Sequence, residues 1–509
     1  MSDKILVLDF GSQYNQLIVR RIRELGVYSE LVSHDISLNI LKSDPSIKGI
    51  ILSGGPHSVY DTDSFTVDKA LFDLNIPIVG ICYGMQLMSY LLGGQVEGSN
   101  HHEFGKTDIS LLINNPLTEG LNDQTTVWMS HGDQVSILPK DFISTASSPS
   151  TKHVMIKHSL KPLFGIQFHP EVTHSKDGML MLENFVKLTQ ASRTWTMDSF
   201  IDQSVKQIQA MVKDQSVILG LSGGVDSSVA AALIDKAIGK QLTCIFVDHG
   251  LLRKNESKEV SDYFKANFDL NLVVVDAKKL FLDKLKGVEN PEDKRKIIGK
   301  TFVEVFEAET KKLKNATFLA QGTLYTDLIE SGTKHAKTIK SHHNVGGLPK
   351  EMNLKLLEPL NTLFKDEVRK LGTALGLPEV LIQRQPFPGP GLAIRIIGDV
   401  TEEKLDIVAL SDQILRDEFL KAGLNQTVWQ YFTVLTPIKT VGVKGDNRGY
   451  DYVLALRAVT SVDGMTADFA HIPYDILAKV SSRITNEVKG IGRVVYDITS
   501  KPPGTIEWE

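Results

Sequence analysis

The chain has 509 residues, which at roughly 100 to 200 residues per domain predicts three or four domains, each with its own core. Hydrophobic residues make up 42% and charged residues 23%, so disordered, fibrous and low-complexity classes are poor fits. The 56 lysines and arginines against 61 aspartates and glutamates give a net charge of −5, which argues against nucleic acid or an anionic membrane as a partner and leaves small anionic ligands open.

The two cysteines, Cys82 and Cys244, are too few for a disulfide framework or a four-thiolate zinc site. The apolar stretch in MSDKILVLDF is shorter than a signal peptide requires. No run approaches the roughly 18 apolar residues of a membrane-spanning helix. We therefore expect a cytosolic protein.

Short apolar runs rich in β-branched residues alternate with segments of helical periodicity. Such uniformly apolar runs predict strands that are buried on both faces of parallel α/β sheets. The clearest runs are 5–10, 49–52, 76–81, 217–221, 243–247 and 272–275.

Two breaks in this alternation indicate domain boundaries. The stretch 190–197 is polar and lacks apolar periodicity, and QPFPGPG at 385–391 can continue neither a helix nor a central strand. After it come a helical stretch at 402–422 and apolar strands at 452–459 and 493–498, the order of a small α+β domain. The predicted fold class is therefore α/β, with two doubly wound, mostly parallel-sheet domains at 1–192 and 193–384 and a smaller α+β domain at 385–509.

The first candidate site is a thiol on a tight turn. The strand at 76–81 runs into Gly80-Ile81-Cys82-Tyr83-Gly84, and helical character follows at 85–92. A lone cysteine after an apolar strand is more often a small buried hydrophobe. The bracketing glycines favour a nucleophile held on a strained elbow, where the helix N-terminus favours the thiolate.

A base and its orienting acid follow later in the chain. His169 and Glu171 can complete a Cys, His, Glu triad if the fold brings them to Cys82, and we expect the two side chains to share one strand face. The turn Ser53-Gly54-Gly55-Pro56 comes after another predicted strand, where backbone amides could stabilise an oxyanion, although a plain β-turn is the alternative.

About residues 4–188 resemble the class I glutamine amidotransferase domain, with its cysteine in a G-x-C-x-G elbow and a later H-P-E. The resemblance implies that Cys82 attacks the side-chain carboxamide of glutamine, that His169 passes its proton to the departing ammonia, and that Glu171 orients the imidazole. It also implies an oxyanion hole formed by the backbone amides of Gly55 and Tyr83. The ammonia then needs a destination elsewhere in the chain.

The second candidate site is a glycine-rich turn between the strand at 217–221 and the helical segment at 229–238. Such a turn offers amide hydrogens and a helix N-terminus to phosphate oxygens. The Walker pattern G-x-x-x-x-G-K-[ST] is absent, which disfavours a P-loop NTPase. Asp226 could hold a metal near the phosphates. The turn consists of Ser222, Gly223, Gly224, Val225, Asp226, Ser227 and Ser228.

This string resembles the signature of the ATP pyrophosphatases, which cleave ATP between the α and β phosphates and adenylylate a substrate oxygen. The resemblance implies that the loop grips the pyrophosphate together with Mg²⁺. Val247, at the end of the next strand, is a candidate for the adenine pocket, with plain core as the alternative. Lys365 could approach the ATP phosphates, and Cys244 is interpreted as buried packing.

Three long strings, at 340–349, 384–392 and 501–509, resemble the glutamine-hydrolysing GMP synthetase family over essentially the whole chain. The resemblance implies that xanthosine monophosphate (XMP) is adenylylated on its carbon-2 oxygen and that ammonia displaces AMP to give GMP. It also implies a homodimer formed through the C-terminal domain. The residues it assigns to the acceptor nucleotide are Arg295, Lys340, His342, Gln430, Arg493, Lys501, Ile506 and Glu509.

Other functions remain open at this point. Another glutamine-fed adenylylating ligase, making NAD or asparagine, would carry a glutaminase of a different type. A tRNA-thiolating enzyme is opposed by the negative charge and the lack of paired cysteines. A nucleotide-binding regulator without turnover is opposed by Cys82, His169, Glu171 and Asp226.

Overall fold

A computed structural model of the chain describes residues 3–313, 316–332, 354–444, 447–461 and 466–509. It divides into two compact units, Met1–Ser199 and Phe200–Glu509. The predicted three-domain division, with boundaries after residues 192 and 384, stays a prediction. Within the described residues, no helix is both long and apolar enough to cross a membrane.

The first unit contains a nine-stranded sheet flanked by helices. Its elements are β1 (Lys4–Asp9), α1 (Asn15–Glu24), β2 (Tyr28–Ser33), α2 (Leu38–Ser43), β3 (Ile47–Leu52), β4 (Ile78–Ile81), α3 (Tyr83–Leu91), β5 (Gln95–Leu111), β6 (Gln124–Ile137), β7 (Phe142–Ser147), β8 (Met155–His158), β9 (Leu163–Ile166) and α4 (Gly178–Thr189). The strand order is β2-β1-β3-β4-β9-β8-β7-β5-β6.

The first five strands in that order are parallel, and the rest join antiparallel. The predicted strands at 5–10, 49–52 and 76–81 are confirmed as β1, β3 and β4. The antiparallel half was not predicted, because a strand such as β6 alternates buried and more exposed positions instead of forming a uniform apolar run. The carboxyl ends of β3 and β4 carry the glycine turn and the cysteine elbow.

The second unit contains a parallel sheet followed by a smaller, mostly antiparallel one. Its elements are α5 (Met197–Val212), β10 (Ser216–Gly220), α6 (Val225–Ile238), β11 (Leu242–Asp248), α7 (Glu256–Asn267), β12 (Asn271–Asp276), α8 (Lys278–Leu285), α9 (Pro291–Thr310), β13 (Ala316–Ala320), α10 (Tyr325–Gly332), β14 (Lys355–Leu357), α11 (Lys365–Ala374), α12 (Glu379–Ile382), α13 (Glu402–Lys421), β15 (Gln430–Lys444), β16 (Asn447–Thr460), β17 (Asp468–Phe469), α14 (Tyr474–Glu487) and β18 (Ile491–Asp497).

The parallel sheet has the order β12-β11-β10-β13-β14, and β16 of the smaller sheet pairs with β15, β17 and β18. The strand predicted at 272–275 exists as β12, but the prediction that it is buried on both faces is wrong, because β12 lies at the edge of the sheet and half-exposes its side chains. One apolar core extends from Ile245 of the parallel sheet to Val408 of α13 and Leu454 of β16. The fold class is confirmed as mixed α/β with a smaller C-terminal part.

Candidate active sites

Cys82 lies on a strained elbow between β4 and α3. Its φ of 51° and ψ of −107° are a conformation that side chains other than glycine rarely adopt. The Cys82 amide donates to the carbonyl of Ile166 at 2.7 Å, which fixes the turn against β9. A Cβ added at Gly84 would lie 2.4 Å from the carbonyl oxygen of Leu52, so only glycine lets helix α3 start this close to β3. The backbone thus holds the Cα of Cys82 at a fixed position between β4 and α3.

The base and the acid lie in the irregular segment between β9 and α4. The expectation that they share a strand face is wrong, because Pro170 between them cannot donate to a strand ladder. His169 Nδ1 nevertheless lies 2.7 Å from Glu171 Oε1, and both side chains are buried. The His169 amide donates to the carbonyl of Trp128 at 3.0 Å, and Ser175 Oγ donates to the His169 carbonyl at 2.6 Å.

The electrostatics of this trio favour a protonated imidazole. Burial by itself would lower the pKa of His169, but the charge of Glu171, its hydrogen bond and the contact with the Cys82 sulfur together raise that pKa well above its ordinary value. Gln167 Nε2 lies 3.7 Å from Cys82 Sγ, a second donor toward the sulfur. The arrangement places a charged imidazole beside the cysteine sulfur, as a nucleophile and its acid–base partner require.

The glycine turn after β3 packs against both the cysteine elbow and the imidazole of His169. The Gly84 amide donates to the Ser53 carbonyl at 3.1 Å, and a Cβ added at Gly54 would lie 3.2 Å from His169 Cε1. Tyr83 is the first residue of α3, where backbone amides have no partner inside the helix. The oxyanion hole formed by the amides of Gly55 and Tyr83 stays a prediction that this placement favours.

The second glycine turn connects β10 to α6. Gly223 has a φ of 74°, and Gly224 caps the N-terminus of α6. The Ser222 amide donates to Ser227 Oγ at 3.2 Å, and the two hydroxyls lie 2.9 Å apart, which fixes the loop from within. The side chain of Val225 is buried, so this residue would meet a phosphate through its amide. Ser228 is buried as well, and its amide already donates to the Gly224 carbonyl at 3.2 Å. The phosphate site predicted at the N-terminus of α6 stays a prediction that this turn geometry favours.

Charged groups from distant segments reach this loop. Lys365 Nζ, at the start of α11, lies 2.6 Å from both carboxylate oxygens of Asp226. Arg384 Nη1 donates to the Gly223 carbonyl at 2.8 Å and lies 2.7 Å from the buried Glu256 carboxylate. Arg384 was not predicted as a site residue, because the string that it opens was interpreted as a domain boundary and as a family motif, with no role given to the arginine.

A magnesium ion at this loop stays a prediction, which the carboxylate of Asp226 fits. In nucleotide sites Mg²⁺ is held by one or two carboxylates plus substrate phosphates, and Asp226 supplies one such carboxylate at the loop. Across the described ranges, no cluster of three or more His, Cys, Asp or Glu side chains could hold a metal ion. The ATP phosphates would therefore complete the ligand set.

Two further predicted residues of this unit lie in the core. The side chain of Val247 is 3% exposed and packs among apolar residues of β11 and its neighbours, so any contact with adenine would involve its backbone. Burial raises the pKa of the Cys244 thiol, with a smaller contribution from Asp235, which suits a packing role.

The C-terminal tail is folded onto the second unit. The Lys501 amide donates to the Ala467 carbonyl at 2.7 Å, and the Ile506 side chain packs on the small apolar cluster of β15 and β16. Gln430 Nε2 donates to Glu507 Oε1 at 2.8 Å. The structure thus places Gln430 beside the tail, and its assignment to the acceptor stays a prediction.

The structure places only some of the other residues predicted to bind the acceptor near the tail. Arg295 donates to the main-chain carbonyl of Glu509, so these two residues meet. Arg493 is exposed on β18. Lys340 and His342 lie outside the described residues.

Three buried cations that the sequence analysis missed hold the tail. Lys294 Nζ lies 2.5 Å from Glu509 Oε2, and Arg395 Nη2 lies 3.1 Å from Glu507 Oε1. Arg457 donates to the carbonyls of residues 499, 505 and 506. A signal was present for two of them, since LAIRI and LALRAV each place a single arginine inside an apolar run, where a charge must be paired.

Comparisons with known proteins cover both sites and the tail. Family models match for Glutamine amidotransferase class-I over residues 6–188, NAD synthase over 195–301 and GMP synthase C terminal domain over 417–508. Relatives described as glutamine-hydrolyzing GMP synthase align end to end. The one from Macrococcus caseolyticus is 60% identical over 99% of this chain and 98% of its own, that from Lactobacillus gasseri 60% over 100% and 98%, and that from Geobacillus kaustophilus 59% over 100% and 99%.

Proposed function

The chain belongs to the family of glutamine-hydrolysing GMP synthases, and we propose on that premise that it is a ligase that amidates XMP to GMP. Glutamine hydrolysis in the first unit supplies ammonia. The second unit converts ATP to AMP and pyrophosphate while it activates the acceptor. The strained Cys82 elbow beside the His169–Glu171 pair is the observation that carries the glutaminase half.

At the first site, each side chain has a distinct task. Cys82 attacks the glutamine carboxamide carbon, and the tetrahedral intermediate places negative charge on the carboxamide oxygen, where the amides of Gly55 and Tyr83 would donate. His169 gives its proton to the departing nitrogen, so ammonia leaves as a neutral molecule. Glu171 holds the imidazole through Nδ1 and stabilises its charged form. Water then releases glutamate from the thioester.

At the second site, the loop from Ser222 to Ser228 would hold the leaving pyrophosphate on the N-terminus of α6. Mg²⁺, held by Asp226 together with the phosphates, would neutralise charge that develops on the phosphate oxygens. Lys365 is close enough to Asp226 to contact the same phosphates. The XMP carbon-2 oxygen attacks the α phosphate, pyrophosphate leaves, and ammonia then displaces AMP from the adenylylated ring.

The acceptor would lie along the folded tail. Arg295 and Gln430 both contact tail residues, which supports their assignment to one nucleotide site. Lys501 is a cation for the acceptor phosphate in this proposal, and Ile506 offers an apolar surface to the purine. Glu509 was predicted to contact the acceptor, but one oxygen of its side-chain carboxylate is already bound to Lys294.

A homodimer is proposed from the apolar surface of the smaller sheet. The hairpin of β15 and β16 exposes Val441, Val443 and Tyr450 by 61%, 74% and 66%. Apolar side chains this exposed on neighbouring strands favour a covered face. Val443→Glu should shift the mass measured by light scattering from dimer to monomer, and an unchanged mass would contradict this surface. A cytoplasmic location is also proposed, because Cys82 must stay reduced to act.

Another glutamine-fed adenylylating ligase is the second candidate, since the NAD synthase model matches residues 195–301. That match covers the phosphate loop but not the tail, and the loop chemistry is common to both reactions. Purified protein given glutamine, Mg²⁺–ATP and either XMP or deamido-NAD decides between them. AMP formed only with XMP supports the proposal, and AMP formed with deamido-NAD overturns it.

A further inference from the structure

The ammonium of Lys294 on α9 is fully buried. It donates to the carbonyl of Ile396 at 2.7 Å and to that of Ala393 at 3.3 Å, and it lies 2.5 Å from Glu509 Oε2. A buried ammonium without a counter-charge is strongly unfavourable, and so is a buried carboxylate. Lys294 and Glu509 therefore depend on each other.

The next residue of the same helix grips the same tail residue. Arg295 donates to the main-chain carbonyl of Glu509, so α9 holds both the side chain and the backbone of the last residue. Burial raises the pKa of the Glu509 carboxyl, and the Lys294 ammonium opposes that rise. The carboxylate thus relies on Lys294 to remain charged in this position.

These contacts between α9 and Glu509 fix one end of a short segment, residues 501–508, which we call the strap. At the other end, Lys501 is paired through its backbone with Ala467. Between these ends, Arg395 and Gln430 bind Glu507. Residues 501–508 are therefore held at both ends, and they include Lys501 and Ile506, two of the three tail residues assigned to the acceptor.

We propose that Lys294 is a positioning residue for the acceptor site, which fixes Glu509 and so keeps the strap of residues 501–508 beside Gln430 and Arg295. Lys294 itself touches no substrate, because its three donors are already directed at protein oxygens. The inference rests on the proposed function, since it assumes that this strap binds XMP. It predicts that losing the pair weakens XMP use while ATP use and glutamine hydrolysis persist.

The test compares Lys294→Met and Lys294→Arg with Lys300→Met, a control on the same helix whose side chain is 80% exposed. AMP release with ammonia as the nitrogen donor is measured against XMP and against ATP. Lys294→Met should raise the KM for XMP about tenfold or more with the KM for ATP unchanged. Lys294→Arg should restore part of the loss, and Lys300→Met should match the unaltered protein.

A second variant keeps the test decisive if Lys294→Met fails to fold. Glu509→Gln leaves Lys294 an amide oxygen to bind, and it should raise the KM for XMP in the same direction. Trp508 reports the strap directly, because its indole Nε1 donates to Asp497 at 2.9 Å and the side chain is 38% exposed. Acrylamide should quench Trp508 fluorescence more strongly in Glu509→Gln, with Trp508→Phe supplying the background.

An unchanged KM for XMP in Glu509→Gln, equal rises in the KM for XMP and for ATP, or unchanged quenching would each overturn the inference. Failure of the proposed function looks different, because then the unaltered protein itself would release no AMP with XMP.

Discussion

The ammonium of Lys365 lies 2.6 Å from both carboxylate oxygens of Asp226, although 139 residues separate the two in the chain. The side chains are 47% and 31% exposed, and pairs this exposed contribute at most about 1 kcal/mol to stability. Both groups lie at the phosphate loop. We therefore expect the pair to matter more for ligand binding at this loop than for the stability of the fold.

Asp226→Ala should abolish synthesis from either nitrogen source, because the metal and the pyrophosphate must be held before any adenylate forms. The measurement is AMP release with glutamine and, separately, with ammonium. Asp269→Asn is the control, since Asp269 is exposed and pairs only weakly with Lys240 at 3.6 Å. Normal ammonia-dependent turnover in Asp226→Ala would contradict the role of the loop.

Cys82→Ala should remove glutamine-dependent synthesis and leave ammonia-dependent synthesis largely intact, because only the first site needs the thiolate. The chain offers its other cysteine as a matched control. Cys244→Ala deletes a buried thiol that packs in β11, so both activities should remain in that variant. Loss of both activities in Cys82→Ala would count against two separable sites.

Glu171→Gln should lower the pKa of His169, because the charge that raises it is removed while the shape is kept. Glutamine hydrolysis should fall by roughly 10² to 10⁴. In the unaltered protein, the raised pKa of His169 means that protonation of this imidazole contributes to the free energy of unfolding. That contribution is fully present below about pH 6.5 and is lost as the pH rises through the pKa of the folded state.

Carbon-13 NMR of the imidazole follows the titration directly, with His169→Asn to assign the signal. A signal that titrates at the same pH in Glu171→Gln and in the unaltered protein would show that Glu171 does not act on this imidazole.

Lys501→Ala should mainly raise the KM for XMP, since one lost charge-assisted phosphate contact costs about 1.5 to 3 kcal/mol. Deleting residues 501–509 is a less selective test. It would leave the buried Lys294, Arg395 and Arg457 without their tail partners, so the second unit should lose stability as well. Steady-state rates against XMP concentration check the point variant, and an unchanged KM would exclude Lys501 from the acceptor site.

His249→Asn should make the second unit less sensitive to acid. Burial lowers the pKa of His249 to about 4, and its Nδ1 accepts from the Leu251 amide at 3.1 Å. In the unfolded chain this imidazole binds its proton at higher pH, near its ordinary pKa. The contribution of His249 to the free energy of unfolding is therefore fully present above about pH 6.5, and about 3 kcal/mol of it is lost as the pH falls toward 4.

Asparagine at position 249 keeps a hydrogen-bond acceptor for the Leu251 amide but has no group that titrates between pH 4 and pH 7. Urea unfolding at pH 7 and pH 4 should therefore show a smaller difference in the variant. Equal differences would mean that His249 does not carry this acid sensitivity.

The sequence predicted the parts of both sites that depend on local strand, turn and helix patterns. Cys82 and the Ser222 to Ser228 loop are of this kind, because each lies in one contiguous string between a predicted strand and a predicted helix. Contacts between segments far apart in the chain could not be predicted from local patterns. Lys294 and Glu509 are 215 residues apart, and nothing near either residue indicates its partner.

The central claim is that two separable sites join glutamine hydrolysis to the adenylylation of XMP. It is tested most directly by following AMP and GMP formed by Cys82→Ala and by the unaltered protein, with XMP and other purine nucleotides as acceptors and with glutamine or ammonium as donor. We predict equal amounts of AMP and GMP from XMP alone, with the variant active on ammonium only. AMP formed without GMP, or with an acceptor other than XMP, would contradict the account.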